Sequence, residues 1–353
     1  MIHGAARVWA KRFCLEYTPF YSLKALKLVA LLSLIFGVAC VQQSDDLATP
    51  LSTAQEALAV GDYDAAYKQY LHFAEDENNP LAQFSVGLFY QLGWGRPVND
   101  AEACSWFSQS AAGNIPAALF AHADCLRFGK GGEASPEEAA VYYQKAADEG
   151  LPTALCSLAE LYMAGEGVPR NPAKAITLCI SVAQQGHPAA MTRAGLFYLE
   201  GDESIRDNEK ALQWLVAGAN ANDPEAMYNL GRMMRMQPVA NMGNDNARQW
   251  FEKAAALGYE PAYFPTAELY YLAKGRGEND MITEGDLAKL YMWLQVTLQS
   301  SMQQTERDKA GEMLEKVLLV MPATWQPVLD QRVTDHLREF RQVSGVRHQS
   351  PVS

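Results

Sequence analysis

The sequence predicts an all-α protein, an α-solenoid of helix-turn-helix repeats wound as a right-handed superhelix. The first observation is a proline that recurs at a nearly constant spacing, at Pro80, Pro116, Pro152, Pro188, Pro224 and Pro261. The first four intervals are 36 residues long and the last is 37. The second is a small residue seven positions after the first five prolines, at Gly87, Ala123, Ala159, Gly195 and Gly231. The third is an alanine 23 positions after them, at Ala103, Ala139, Ala175, Ala211 and Ala247. Such a fixed period is typical of repeats that stack on one another.

The first half of each repeat predicts one amphipathic helix, here called helix A. If the proline is position 0, apolar or small residues stand at positions 2, 3, 6, 7 and 10, which share one side of a helix. The proline suits the first helical turn, where a missing N–H costs little. Glycine at position 13 in four repeats can end the helix with a positive φ. We therefore expect positions 2, 3, 6, 7 and 10 to be buried.

The second half of each repeat predicts helix B. Alanine stands at positions 23 and 31 in all five repeats, and position 26 between them is bulky, as Trp106, Tyr142, Leu178, Trp214 and Trp250. Small residues on either side of a large one let helix B pack between two helices A. We therefore expect the residue at position 26 to be buried, and Trp250→Ala to lower the melting midpoint strongly.

The repeat resembles the Sel1-like repeat (SLR), a relative of the tetratricopeptide repeat. The third repeat carries the resemblance in ALCSLAELYMAGEGV and KAITL, and the fifth in EAMYNLGRM and AAALG. The resemblance covers about residues 80–300, although the turns GDESIRDN and MQPVANMGND lack the usual G-x-G-V. It implies an α-solenoid that binds other proteins, without indicating a particular partner.

The repeats are flanked by segments with other patterns. We expect a capping hairpin at residues 51–79, five repeats at 80–260, a degraded sixth repeat at 261–300, capping helices at 301–341 and a tail at 342–353. Terminal units of a solenoid are expected to be atypical because one of their faces meets water.

Residues 1–39 have the pattern of a secretory signal. A basic segment precedes an apolar run from Leu28 to Ala39, which is too short to span a bilayer comfortably. The end, FGVAC, resembles the box of bacterial lipoproteins, which implies acylation at Cys40 and, through Val41, sorting to the outer membrane. An ordinary cleaved signal and an uncleaved anchor are the alternatives. We expect residues 40–50 to form a polar tether. The leader and the lipoprotein box together predict a location in the cell envelope, as an outer-membrane lipoprotein facing the periplasm.

The charge balance favours some classes of partner over others. The chain has a net charge of −12. The leader carries five basic residues and one acid, so its removal leaves −16. This charge argues against nucleic acid and anionic lipid surfaces and favours basic proteins or small cationic ligands. Alternatively, it only keeps an extended protein soluble.

Four cysteines remain once Cys14 in the leader and the predicted lipid site Cys40 are set aside, and none has the spacing of metal ligands. Antiparallel helix packing could pair them as two disulfides, Cys104 with Cys125 and Cys156 with Cys179. Small buried thiols are the alternative.

The sequence predicts no catalytic site, cofactor or metal. The segments GWG, GKGG and GEG recur at the same place in successive repeats and follow predicted helices, so they indicate helix ends rather than a phosphate loop. His72, His122, His187 and His336 lie far apart and form no H-x-x-x-H pair. Neither G-x-S-x-G nor S-x-x-K appears as a nucleophile motif.

Function is therefore expected on a surface. If helix A buries the positions named above, positions 1, 5, 8 and 12 lie on its opposite side and line the concave face. The predicted partner-binding groove consists of Leu88, Leu92, Asp124, Phe128, Glu160, Arg193, Leu196, Glu200, Asn229, Arg232 and Met236. Apolar residues in line across repeats suit a peptide or partner helix, unless they pack against the neighbouring repeat.

Two functions follow from such a surface. The favoured one is a non-catalytic, envelope-anchored scaffold that binds a protein or peptide. The alternative is an accessory protein that binds peptidoglycan or polysaccharide in cell-envelope biogenesis, for which the acidic groove and Trp94 provide support.

Overall fold

The structure is a computed structural model that describes residues 51–236, 243–273 and 282–344, with backbone only after residue 340. These ranges contain sixteen α-helices and no strand, which confirms the all-α fold class. The predicted leader, Cys40 and the tether lie outside the described residues. So does the predicted tail from residue 345 onwards.

The helices follow one another as hairpins along the chain. Helices α1 (Ser52–Ala59) and α2 (Tyr63–Asp76) form the N-terminal hairpin. The five repeats are α3–α4 (Pro80–Leu92, Asp100–Ala111), α5–α6 (Pro116–Phe128, Pro136–Asp148), α7–α8 (Ala154–Ala164, Pro172–Ala183), α9–α10 (Pro188–Glu200, Asn208–Asn220) and α11–α12 (Pro224–Met236, Asn244–Ala256). In each repeat the first helix is helix A and the second is helix B.

The sixth hairpin and the end of the chain follow. A short 3₁₀ turn at Glu260–Ala262 leads into α13 (Tyr263–Leu272), which pairs with α14 (Glu284–Gln299). Helix α15 is Gln304–Leu318, and a second 3₁₀ turn at Ala323–Trp325 leads into α16 (Gln326–Ser344).

Among the described residues, the chain forms two compact units. One consists of residues 51–121 with 149–151, and the other of residues 122–148 with 152–344.

Local chemistry sets the helix ends. In the first repeat, the side chain of Asn79 accepts hydrogen bonds from the backbone N–H groups of Leu81 and Ala82, Pro80 occupies the first turn, and Gly93 ends α3 with a φ of 69°. The third repeat differs from the prediction because Pro152 precedes its helix, which begins at Ala154. An asparagine or aspartate caps helix B in the first, third and fourth repeats.

The buried side of helix A contains positions 2 and 7 in every repeat, as predicted, but position 10 differs from the prediction. Position 9 is buried in all five repeats, as Phe89, Cys125, Leu161, Phe197 and Met233, whereas position 10 is buried only in the fifth, as Met234. Positions 2, 6 and 9 form an i, i+4, i+7 stripe toward the core, so the tyrosines predicted to be buried at position 10 lie at its edge. In the third repeat, the ammonium of Lys174 lies 3.9 Å from the centre of the Tyr162 ring, a cation–π distance.

Helix B shows the same one-residue difference. The deeply buried residue stands at position 27, as Phe107, Tyr143, Cys179, Leu215 and Phe251, whereas the large residues at position 26 are only half-buried. The small residue at position 7 makes room for this side chain. A Cβ on Gly231 would lie 2.7 Å from Phe251, and one on Gly87 would lie 2.5 Å from Phe107, both too close without rearrangement. The prediction that position 26 fills the core is therefore wrong.

Candidate binding surface on helix A

Ion pairs connect neighbouring helices A in the larger unit. Glu160 on α7 accepts a hydrogen bond from Arg127 on α5, with Nη1 and Oε2 2.6 Å apart. Its other carboxylate oxygen lies 2.9 Å from Nε of Arg193 on α9. One carboxylate thus joins helix A of three successive repeats.

The same arrangement continues along the repeats. Arg232 on α11 pairs with Glu200 on α9 at 2.8 Å, and Arg235 on α11 pairs with Glu268 on α13 at 2.9 Å. We use the name ion-pair layer for the paired side chains on α5, α7, α9, α11 and α13, which are Arg127, Glu160, Arg193, Glu200, Arg232, Arg235 and Glu268. The sequence predicted an acidic groove, but arginines of neighbouring repeats compensate the charges of Glu160 and Glu200.

Burial changes the acid–base behaviour of Asp124 and Arg127, which both lie on α5. The hydroxyl of Tyr143 on α6 donates to Oδ1 of Asp124 at 2.6 Å. Burial raises the pKa of Asp124 above its usual value, and the hydrogen bond from Tyr143 only partly offsets this. Burial by itself would lower the pKa of Arg127. The hydrogen bond to Glu160 and the charge of Glu160 raise this pKa by more than burial lowers it, so the net shift is upward. Arg127 therefore stays charged in its half-buried place.

Asn229 does not lie on an open surface, contrary to the prediction. Asn229 is only 3% exposed. Nδ2 donates to the backbone carbonyl of Glu225, and Oδ1 accepts a hydrogen bond from Arg232. Leu88 and Leu196 are half-buried as well. Positions 5 and 8 face the helix A of the neighbouring repeat, which is why they are partly or wholly covered.

The open surface is formed by position 12, at the end of each helix A. In the larger unit this position is exposed in every repeat, as Phe128, Ala164, Glu200 and Met236. Leu272 follows Met236 by 36 residues and is exposed too. Met236 is 75% exposed and Leu272 58%. We call these five residues the helix-A row.

Leu272 was missed in the sequence because its repeat has one extra residue before Pro261. Counting 36 residues from Met236, rather than from the proline, would have found it. In the first repeat, the equivalent Leu92 is half-buried.

The environment of Phe128 is cationic. The guanidinium carbon of Arg127 lies 5.0 Å from the centre of its ring, and Nζ of Lys130 lies 5.9 Å from it. Because Arg127 is already paired with Glu160, Phe128 offers a partner an exposed apolar ring rather than a free positive charge.

The cysteines of the described residues are engaged in disulfides. Sγ of Cys156 on α7 and Sγ of Cys179 on α8 are 2.09 Å apart, with the Cα atoms separated by 4.5 Å. Cys104 and Cys125 are disulfide-bonded as well. In residues 51–236, 243–273 and 282–344, no group of three or more His, Cys, Asp or Glu side chains is placed to hold a metal ion. No helix in those ranges is long and apolar enough to cross a bilayer.

Glu160→Gln is expected to lower the free energy of unfolding by about 1–3 kcal/mol, because it removes the charge that pairs with both Arg127 and Arg193 in a partly buried setting. Among the described residues, Arg127 then keeps only the longer pair with Glu166, at 3.5 Å. Urea unfolding followed by circular dichroism measures the change. Glu203→Gln, at an exposed acid in the turn after α9, is the control and should change stability little. Equal effects of the two substitutions would contradict a structural role for the ion-pair layer.

Asp124→Asn is expected to make the chain at least as stable as the wild type at neutral pH. The raised pKa of Asp124 means that the folded chain holds this proton more tightly than the unfolded chain. Wild-type stability therefore falls as pH rises from the unfolded pKa, about 3.9, through the folded one. The asparagine removes this loss and can still accept the hydrogen bond from Tyr143.

The advantage of Asp124→Asn should accordingly shrink as pH is lowered toward about 4. Urea midpoints measured across this range test it, with Asp148→Asn at an exposed site on α6 as the control. A variant whose disadvantage grows with rising pH would show that the carboxylate is stabilising.

The stacked hairpins and the open row at their helix ends define a helical-repeat scaffold. The model of the Sel1 repeat family matches five consecutive segments, residues 80–115, 116–151, 152–187, 188–223 and 224–259. Each segment begins at one of the prolines that define the repeat, and together they cover just over half of the chain. The chain therefore belongs to the Sel1 repeat family, as the resemblance indicated.

One solved structure shows the same kind of fold, and a second has weaker similarity to this chain. A Sel1 repeat protein from Oxalobacter formigenes is 25% identical, with a TM-score of 0.55, and the match covers 75% of this chain and 99% of that one. A second is c5321, a protective antigen of uropathogenic Escherichia coli strains with an SLR fold. It is 19% identical with a TM-score of 0.49, covering 85% of this chain and 73% of that one. No curated protein sequence matches the chain.

Proposed function

We propose that the chain is a non-catalytic scaffold, acylated at Cys40 and held on the periplasmic side of the outer membrane, that binds a protein or peptide along the helix-A row. The observation that carries the proposal is the row itself. Five exposed side chains from five successive helices A stand at equivalent places, which is the arrangement a repeat protein offers to an elongated partner.

The composition of the row favours an amphipathic partner. Phe128 stands at one end and Met236 with Leu272 at the other, with Ala164 and Glu200 between them. Neighbouring helices pack about 8–10 Å apart, so apolar side chains spaced over several helices suit a partner helix or an extended segment with apolar anchors. The ion-pair layer keeps the arginines beside the row occupied, so apolar contacts are expected to contribute more of the affinity than charge does.

The envelope location rests on the leader and on the cysteines. The basic and apolar segments before FGVAC support export and acylation. A disulfide between α7 and α8 suits an oxidising compartment such as the periplasm. Several acyl chains on Cys40 would give a firm attachment, because one chain alone binds membranes only marginally.

A pull-down from solubilised membranes tests the binding surface. Phe128→Ser combined with Met236→Glu is expected to reduce the recovered protein partner at least tenfold. Gln213→Glu combined with Gln249→Glu, at exposed sites on helix B, is the matched control and should retain it. Glycan retained by all variants without a protein partner would overturn the proposal and favour the peptidoglycan or polysaccharide alternative.

The anchor has its own test. Cys40→Ser is expected to move the protein from the membrane fraction to the soluble fraction, and mass spectrometry should find an acylated Cys40 at the start of the wild-type chain. A wild-type chain that begins elsewhere and carries no acyl group would contradict the anchor but leave the binding surface untouched.

A further inference from the structure

A group of exposed apolar side chains in the smaller unit is left without a role by the helix-A row. It consists of Val60 in the turn after α1, Tyr63 at the start of α2, and Trp94 and Val98 in the turn after α3. We call these four residues the turn patch. Val60 is 82% exposed and Val98 55%. Tyr63 is exposed as well, and Trp94 is half-buried beside it.

Contacts between the two turns hold the patch together. The rings of Tyr63 and Trp94 stack with their centres 6.0 Å apart and their planes inclined by 15°. Phe89 meets Trp94 edge-on from the core side, with ring centres 5.4 Å apart. At Gly95 the backbone passes so close to Tyr63 that a Cβ would lie 3.0 Å from its side chain. These contacts hold Tyr63 and Trp94 against each other, with Val60 three residues before Tyr63 and Val98 four residues after Trp94.

The patch lies close along the chain to the predicted lipid site. Residues 41–50 separate the predicted lipid site Cys40 from Leu51, where the described residues begin. Eleven residue steps of extended chain span at most about 40 Å, and α1 adds about 12 Å to Val60. The patch thus stays within reach of any bilayer to which Cys40 is attached.

The chemistry of the patch fits a membrane–water interface. Tryptophan and tyrosine are enriched there because an apolar ring carries a polar group at one end, and the two valines add aliphatic surface beside them. Asp62 and Asp64 flank Tyr63. Asp62 accepts a hydrogen bond from the N–H of Ala65 at the start of α2. Two carboxylates beside the patch disfavour an anionic surface and favour a zwitterionic one.

We propose that the turn patch is a second membrane contact, which rests on the surface of a zwitterionic bilayer when the chain is attached at Cys40. This inference depends on the proposed function, because it assumes the attachment at Cys40. The anchor alone would not fix the orientation of this unit on the membrane. The patch would hold the N-terminal hairpin and the turn of the first repeat against the lipid.

Chemical attachment tests the contact independently of acylation in the cell. In the chain from Cys40 to Ser353, Cys40 is the thiol available for coupling, because the four other cysteines are disulfide-bonded. It is coupled to a maleimide lipid in phosphatidylcholine vesicles, and a soluble reference is capped at Cys40 with N-ethylmaleimide. Hydrogen–deuterium exchange is then compared at residues 59–65 and 93–99.

The proposal expects exchange in both segments to slow several-fold on the vesicle relative to the soluble reference. Val60→Ser combined with Tyr63→Ser and Val98→Ser should abolish the slowing, whereas Leu319→Ser combined with Val320→Ser, at exposed apolar sites after α15, should retain it. Circular dichroism before coupling confirms that both variants are folded.

Three results would overturn the contact. One is equal exchange on the vesicle and in solution, and another is slowing that persists in the serine variant. The third is the same slowing in the soluble reference at high protein concentration, which would show that a second copy of the chain covers the patch. Because the lipid is attached chemically, a failure here leaves the acylation of Cys40 to be decided by the fractionation of Cys40→Ser.

Discussion

Phe251→Ala is expected to lower the free energy of unfolding by about 3–5 kcal/mol, the usual cost of removing a buried aromatic ring. Phe251 is 1% exposed, and its ring lies against the backbone of Gly231, where no side chain stands in the way. It also contacts the ring of Tyr228, with centres 5.5 Å apart. Removing the ring therefore leaves a cavity between the two helices of the fifth repeat.

Trp250→Ala is the matched control, because it removes a larger ring from the preceding residue of the same helix. Trp250 is only half-buried, and Lys253 lies over its outer side with Nζ 4.1 Å from the ring centre. It should cost clearly less than Phe251→Ala, although the sequence pattern predicted it to be the core residue. Urea unfolding of both variants decides this, and a larger loss for Trp250→Ala would restore the original phase of helix B.

Loss of the disulfide between α7 and α8 is expected to be the second largest effect. Cys156 and Cys179 are 23 residues apart. A cross-link that closes a loop of this size lowers the conformational entropy of the unfolded chain, which stabilises the folded state by about 3 kcal/mol. Cys156→Ala combined with Cys179→Ala should lower the free energy of unfolding by about this amount. Alanine is chosen because Cys179 is fully buried and a serine hydroxyl would need a hydrogen-bond partner there.

Thiol labelling provides the independent measurement. Under denaturing, non-reducing conditions, Cys156 and Cys179 should not react with a thiol reagent until a reductant is added. Free thiols at both positions in protein isolated from an oxidising compartment would show that the bond does not form. The double variant would then be no less stable than the wild type beyond the loss of the two sulfur atoms.

Much of the fold could be predicted from the sequence because each repeat repeats its own signals. Proline at the start of helix A and glycine after its end fixed the helix to within one or two residues in most repeats. The third repeat departs from this, since Pro152 lies before its helix. The all-α class and the family followed from the same 36-residue period.

Which of two neighbouring residues is buried could not be predicted in either helix, because positions 9 and 10, and positions 26 and 27, are often both large. Helical periodicity cannot separate neighbours that lie 100° apart when either could face the core. The pairing of Gly231 with Phe251 is the missing information, since only contact across the hairpin shows which ring the glycine accommodates.

The candidate surface was predicted only in part for a related reason. Phe128 and Met236 were identified correctly as exposed positions. Helical periodicity within one helix cannot show that Arg193 on α9 reaches Glu160 on α7, or that Asn229 is covered. Those outcomes depend on the neighbouring repeat. The groove as a binding site stays a prediction.

Photo-crosslinking from single positions tests the central claim most directly. p-Benzoylphenylalanine is placed at Ala164, Met236 or Leu272 on the helix-A row, and at Gln213 or Gln249 on helix B as controls, all of them exposed. In intact cells, crosslinks to one and the same protein from the row positions, and none from the helix B positions, are the result that a scaffold binding through the row predicts. Crosslinks that arise only from helix B, with none from the row, would contradict it.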